Sequence, residues 1–308
     1  MRYSLVSRFR GTILGAFLGE SLAKGGENPI NCACGTGTMV ILGAESLIAL
    51  GSLDLNDWLK RHQQAPVHLQ VTDVSSAKII LATLPITLFF HEDKIKLREK
   101  LLQGAQLWEN DPLVRDGILA VGYAVAQSLT EKLDPIQIIP QIISFLGDTQ
   151  TSLPQQLLKV NILLNEGAGL EKAQAELNRE EKISNTIAIA FYCFLSTLED
   201  FRLAVLRATH NDDSQATGAI TGALSGAYNS TVGIPANWLF LYSPKNSPAW
   251  EQSSFSQMVE LADALAAVWS GVYNLDLHPR ELTAEKCATS FDSATRTVFA
   301  APRVIRSR

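Results

Sequence analysis

Residues suited to chemistry gather in two stretches of this chain. One is the polar knot His210-Asn211-Asp212-Asp213-Ser214-Gln215; the other is the N-terminal stretch that holds Glu27, Cys32 and Cys34. The paired carboxylates Asp212 and Asp213 offer the hard oxygens that magnesium or manganese takes. His210, beside them, has the chemistry of a general base. Each residue also has a plain structural role open to it. A histidine at a helix end serves the dipole of the preceding helix, and an aspartate at a helix start caps it. Glu27 sits in Gly25-Gly26-Glu27-Asn28-Pro29, a loop able to flex over a cleft or simply to carry a solvated glutamate. Cys32 and Cys34 could join His210 as soft ligands. However, the four cysteines (Cys32, Cys34, Cys193, Cys287) fit no zinc spacing and read as reduced thiols.

These residues depend on helices for their placement. After the knot, Gly218, Gly222 and Gly226 recur every fourth residue, with Ala219, Ala223 and Ala227 beside them. Four-residue spacing lines the glycines along one helix stripe. Such a stripe lets a second helix approach closely, at roughly 1 kcal/mol per glycine against alanine, so the helix over 212–228 is expected at the centre of a bundle. Asp212 is expected to cap it. The knot would then mark either a capped helix end or a metal or anion site at the mouth of the bundle. Helical periodicity also covers 5–24, 112–130, 153–165 and 182–198, among others. Asp111-Pro112 and Ser152-Leu153-Pro154 place proline just inside two helix starts, while Asp54 and Asp200 begin two more. A buried helix is expected over 73–90 despite Pro85, and loops over 25–37 and 234–252. Strand-like alternation is scarce, which predicts an all-α fold. We read one domain over 1–275 and a basic tail, 276–308, that carries Arg296, Arg303, Arg306 and Arg308.

Composition narrows the setting. The 308 residues are 46% hydrophobic and 19% charged, enough apolar content for a sizeable core. A net charge of −5 without an evident basic face argues against nucleic acid as partner. The longest apolar run, Ile79 to Phe90, is too short to span a membrane. The sparse cysteines and the polar start predict a cytoplasmic protein with no membrane role.

Several motifs resemble those of the ADP-ribosylglycohydrolases. Arg10-Gly11-Thr12-Ile13-Leu14-Gly15-Ala16-Phe17-Leu18-Gly19-Glu20-Ser21-Leu22 is similar to that family's R-G-x-x-x-G-x-x-x-G-D-A-L-G. Glu27 falls where the family places a glutamate at its active-site mouth. Residues 39–47, MVILGAESL, resemble the helix that follows its T-D-D-T motif. Residues 210–227, HNDDSQATGAITGALSGA, resemble its G-D-[ST]-D-[ST]-x-x-A-I-A-G-A-L-A-G-A, and Ile234-Pro235-Ala236-Asn237-Trp238 matches the I-P-x-x-W beyond. The resemblance implies a multi-helix domain built around two divalent cations that help cleave the glycosidic bond between ADP-ribose and a protein side chain. A metal pair can hold ribose hydroxyls, polarise the leaving group and activate water.

The metal motifs themselves depart from the family. The T-D-D-T motif falls on Cys34-Gly35-Thr36-Gly37, so both of its aspartates are gone. At the C-terminal block Asp213 matches the first metal-binding aspartate, while the second falls on Gln215 and the next hydroxyl on Ala216. Glu20 replaces the aspartate of the first helix. Two divalent ions need several carboxylates to offset their repulsion and dehydration, and Asp213 with Glu27 supplies too few. The resulting expectation is a family fold that has lost its dinuclear site, with at most magnesium or manganese held singly at Asp213. Glu27 and Asp213 are the catalytic candidates by resemblance, and Glu20, Thr36, His210, Asp212 and Gln215 the ligand-binding ones. The protein would then bind ADP-ribose, a related nucleotide ligand or a protein partner. The alternatives are an active hydrolase that uses one metal or none, and a structural subunit whose cleft is filled by side chains.

Overall fold

The computed structural model describes residues 3–23, 35–64, 76–107, 111–210, 213–241 and 255–272. Glu27, Asp212, Cys32, Cys34 and the proposed tail 276–308 lie outside the described residues. Among those described, the regular elements are helices only, as the sequence predicts.

The centre of the molecule is one antiparallel helix pair. Helix α1 (Leu5–Ala23) is the first described element, and α13 (Ser214–Asn229) follows far along the chain. Gly11, Gly15 and Gly19 of α1 lie directly against Gly226, Gly222 and Gly218 of α13. A methyl group added at Gly222 would overlap the backbone of Gly15, the nearest carbonyl carbon being 2.6 Å away. The glycines are therefore required by backbone contact. The close approach foreseen for the stripe on α13 is real, and its partner is the glycine series of the chain's own opening. Every α13 residue from Thr217 to Ala227 is buried, and so is nearly the whole of α1 from Arg8 to Ser21.

The remaining helices wrap this pair. In chain order they are α2 (Gly35–Leu50), α3 (Leu55–Gln64), α4 (Ser76–Ala82), α5 (Leu84–Phe90), α6 (Lys94–Ala105) and α7 (Pro112–Leu129). They continue with α8 (Ile138–Leu146), α9 (Leu153–Asn165), α10 (Leu170–Leu177), α11 (Lys182–Ser196), α12 (Phe201–Ala208), α14 (Ala236–Leu241) and α15 (Phe255–Ser270). Contacts tie α13 to α12, α11, α7 and α4, while α15 packs on α1 and α2. The capping expectations hold at three starts. Asp54 accepts from the amides of Asn56 and Asp57, Asp111 from Leu113, and Asp200 from Leu203. At Ser152 the side chain makes no cap bond, and proline in the first turn takes over that start.

Helix α2 begins at Gly35, inside the stretch read as loop over 25–37, and three further boundaries differ from expectation, each for a local reason. The helix expected over 73–90 is two helices, α4 and α5, broken at Thr83. Pro85 has no N–H to continue the ladder and sits instead in the first turn of α5. The stretch read as loop from 234 contains α14, whose Trp238 is buried against Phe201 with ring centroids 6.2 Å apart. The cap expected at Asp212 is also displaced. Helix α13 starts at Ser214, the N-cap position falls on Asp213, and that side chain makes no cap bond.

Candidate functional site

The glycine contact that builds the core also sets the site. Glu20 follows Gly19 on α1, and Asp213 precedes α13, whose Gly218 lies against Gly19. Where the two backbones touch, these carboxylates come to one end of the central pair and share one cleft. Glu20, Asp213, Gln215, Ala216 and Ala219 line it with Ala77, Lys78 and Leu81 of α4. The volume is about 70 Å³, room for a few ordered waters and well short of a nucleotide site of some 300–1,000 Å³.

Asp213 is already engaged. The Thr186 hydroxyl donates to its Oδ2 at 2.9 Å, and the Lys182 ammonium stands 3.4 Å from its Oδ1. Both come from the first turns of α11. Glu20 is nearly buried, at 9% exposure, and on its other side it borders a void of about 10 Å³ beside Gly37 of α2. That void is walled by apolar side chains such as Phe17, Val40 and Leu84. The start of α2, where the resemblance places the T-D-D-T motif, therefore does lie beside Glu20. Thr36 belongs to the first turn of that helix.

His210 does not line the cleft. It is exposed at the end of α12, with ring Nδ1 2.6 Å from the Leu206 carbonyl oxygen. The histidine thus serves the end of its own helix, as one of its two expected roles had it. The structure brings together Glu20, Asp213 and Gln215, and Gly37 marks how near the start of α2 comes. His210 is left aside.

Sequence reasoning missed Thr186 and Lys182, and it met Lys78 only in passing, as part of the stretch leading to Pro85. No motif marks the first two. The one signal at Thr186 is a polar residue set in the apolar run of α11, where every neighbour from Ser184 to Leu195 is buried.

Electrostatics decides what the site can hold. Two carboxylates, Glu20 and Asp213, share the cleft with Lys78 on its wall, and the exposed Lys182 stands beside Asp213 from outside. A pair of divalent cations would add four positive charges, and two carboxylates with lysines beside them are few to offset these. Among the described residues, no three histidine, cysteine or carboxylate side chains converge as metal ligands. No helix of the described residues is long and apolar enough to cross a membrane.

A family model described as ADP-ribosylglycohydrolase matches residues 42–274. The matched span takes in Asp213 and Gln215, whereas Glu20, Glu27 and Thr36 precede it. A solved structure described as an ADP-ribosylglycohydrolase-related protein complex is similar in fold, with a TM-score of 0.59 at 16% identity. The similarity covers 86% of this chain and 98% of that one. No curated relative matches the chain.

Proposed function

Because the chain belongs to the ADP-ribosylglycohydrolase family, we propose that it is a member which keeps the family fold, lacks the dinuclear metal chemistry and acts by binding a ligand or partner. The observation that carries this reading is the engagement of Asp213. The carboxylate that resemblance assigns to metal binding is held by a threonine hydroxyl and faces a lysine ammonium. Its expected companions are Gln215, Gly35 and Thr36, which bring no charge. A cleft whose Asp213 is already engaged suits hydroxyl or amide groups of a ligand better than a pair of cations. At about 70 Å³ it takes a small group, such as a ribosyl hydroxyl or one side chain of a partner, and not a whole nucleotide.

The test is calorimetric titration of ADP-ribose with and without millimolar manganese or magnesium, paired with an assay for release of ADP-ribose from a modified protein. The expected result is that metal changes neither the binding heat nor the absence of release. Metal-dependent release that disappears in Asp213→Ala would overturn the reading and favour a working hydrolase with a single ion.

A further inference from the structure

A second cavity lies away from the family cleft. It measures about 470 Å³ and opens between the last turns of α9 and α11, the Gly167–Ala168 turn and Arg207 on the last turn of α12. That volume falls in the range of small-metabolite sites. Its wall on α11 begins at Tyr192, about 9 Å of helix beyond Thr186, so the two sites are distinct parts of one helix.

Arg207 is the charged group in this wall, and its state is unusual. It is half-buried, its guanidinium carbon lies 5.4 Å from the centre of the Tyr192 ring, and its Nη2 donates to the Tyr192 hydroxyl at 3.3 Å. That hydroxyl donates in turn to the Ala168 carbonyl oxygen, which fixes the phenol and through it the guanidinium. Arg207 Nε is buried without a hydrogen-bond partner, and no carboxylate of the described residues pairs with Arg207. A half-buried arginine held on Tyr192, with no carboxylate partner and in the wall of an open cavity, is a group set to receive an oxyanion. The rest of the lining adds Asn161, Asn165 and Ser196, which suit hydroxyl groups.

We propose that this cavity is a second binding site, for a small polyhydroxylated anion such as a sugar phosphate or sugar acid, with Arg207 holding the oxyanion. The probes are glucose 6-phosphate, gluconate and neutral glucose, titrated by calorimetry into the full chain. They share a hydroxylated body and separate phosphate from carboxylate. One of the two anions is expected to bind at least roughly tenfold more tightly than glucose, with affinity falling as salt rises. Arg207→Gln is expected to weaken that anion by about tenfold or more, and Arg207→Lys by less, since it keeps the charge without the fork. If Arg207→Gln does not fold, Asn165→Trp on the exposed rim fills the cavity and must abolish the heat. Two results overturn the proposal: no heat from either anion at about 10 mM, far above a millimolar dissociation constant, or binding that survives these substitutions unchanged. Because Asp213 takes no part, failure here leaves the reading of the family cleft untouched.

Discussion

At the scale of single residues, Cys193 gives a sharp test of how well the core excludes solvent. The side chain is fully buried on α11, and burial pushes its thiol up from an ordinary 9.0 to about 12, against the lowering effect of the nearby Arg207 charge. A raised pKa in the folded state means that folding favours the protonated thiol. Its contribution is complete below pH 9.0 and is lost as pH rises through about 12. At pH 8 the folded protein therefore presents almost no Cys193 thiolate, and the thiolate is the nucleophile. Iodoacetamide followed by peptide mass spectrometry should leave Cys193 unmodified in the native protein and label it fully in denaturant. Labelling at the rate of a free thiol in native buffer would show that α11 opens. Residue chemistry was legible from the sequence only where a motif carried it. Asp213 and Glu20 could be named because they sit in aligned blocks. Thr186 and Lys182, which decide what Asp213 can do, belong to a distant stretch and reach it only through tertiary packing.

Helices are the level at which the sequence spoke most plainly, since 3.6-residue periodicity and capping residues are local signals. Asp111-Pro112 and Asp200 mark starts that the structure reproduces. Local signals failed where a short element depends on what it packs against. Helix α14 spans only Ala236–Leu241 and is held by burial of Trp238 beneath its neighbours. The glycine stripe on α13 was visible, but its partner on α1 was not, because pairing of two helices so far apart along the chain leaves no mark in either one alone. The pair is testable by a single methyl group. Gly222→Ala places a carbon 2.6 Å from the Gly15 carbonyl carbon, where only the backbone can yield. Overpacking of this kind costs about 3 kcal/mol or more. Gly169→Ala meets nothing within 4 Å at an ordinary φ of −72°, and as the N-cap of α10 it should cost no more than about 1 kcal/mol. Urea unfolding of the two variants beside the parent measures the contrast. Equal midpoints for all three would mean that α1 and α13 are not in backbone contact.

For the whole molecule, the important fact is that its centre joins two helices far apart in the sequence. Helix α1 has its main partner in α13, and α13 also supports α4, α7, α11 and α12. The helices between them form local pairs, but the surface they turn inward has nothing to cover it until α13 is present. Among its buried side chains α13 carries Ile220 and Leu224, both with no exposure. Truncating one such residue to alanine costs about 2–5 kcal/mol, so these two alone rival a total stability of roughly 5–15 kcal/mol. A chain ending at Thr209 loses both, and it also exposes the buried face of α1 that holds Phe9, Leu14 and Leu18. Helix propensity survives such a cut because it is local; cooperative packing does not. The expected outcome is a fragment with substantial far-ultraviolet helical signal, little near-ultraviolet signal and a broad, non-cooperative melt. A sharp melting transition in the 1–209 fragment would mean that the surrounding helices form a core of their own. The family cleft would then be a later addition to a stable domain, when the glycine contact at Gly19 and Gly218 instead makes the cleft and the core one construction.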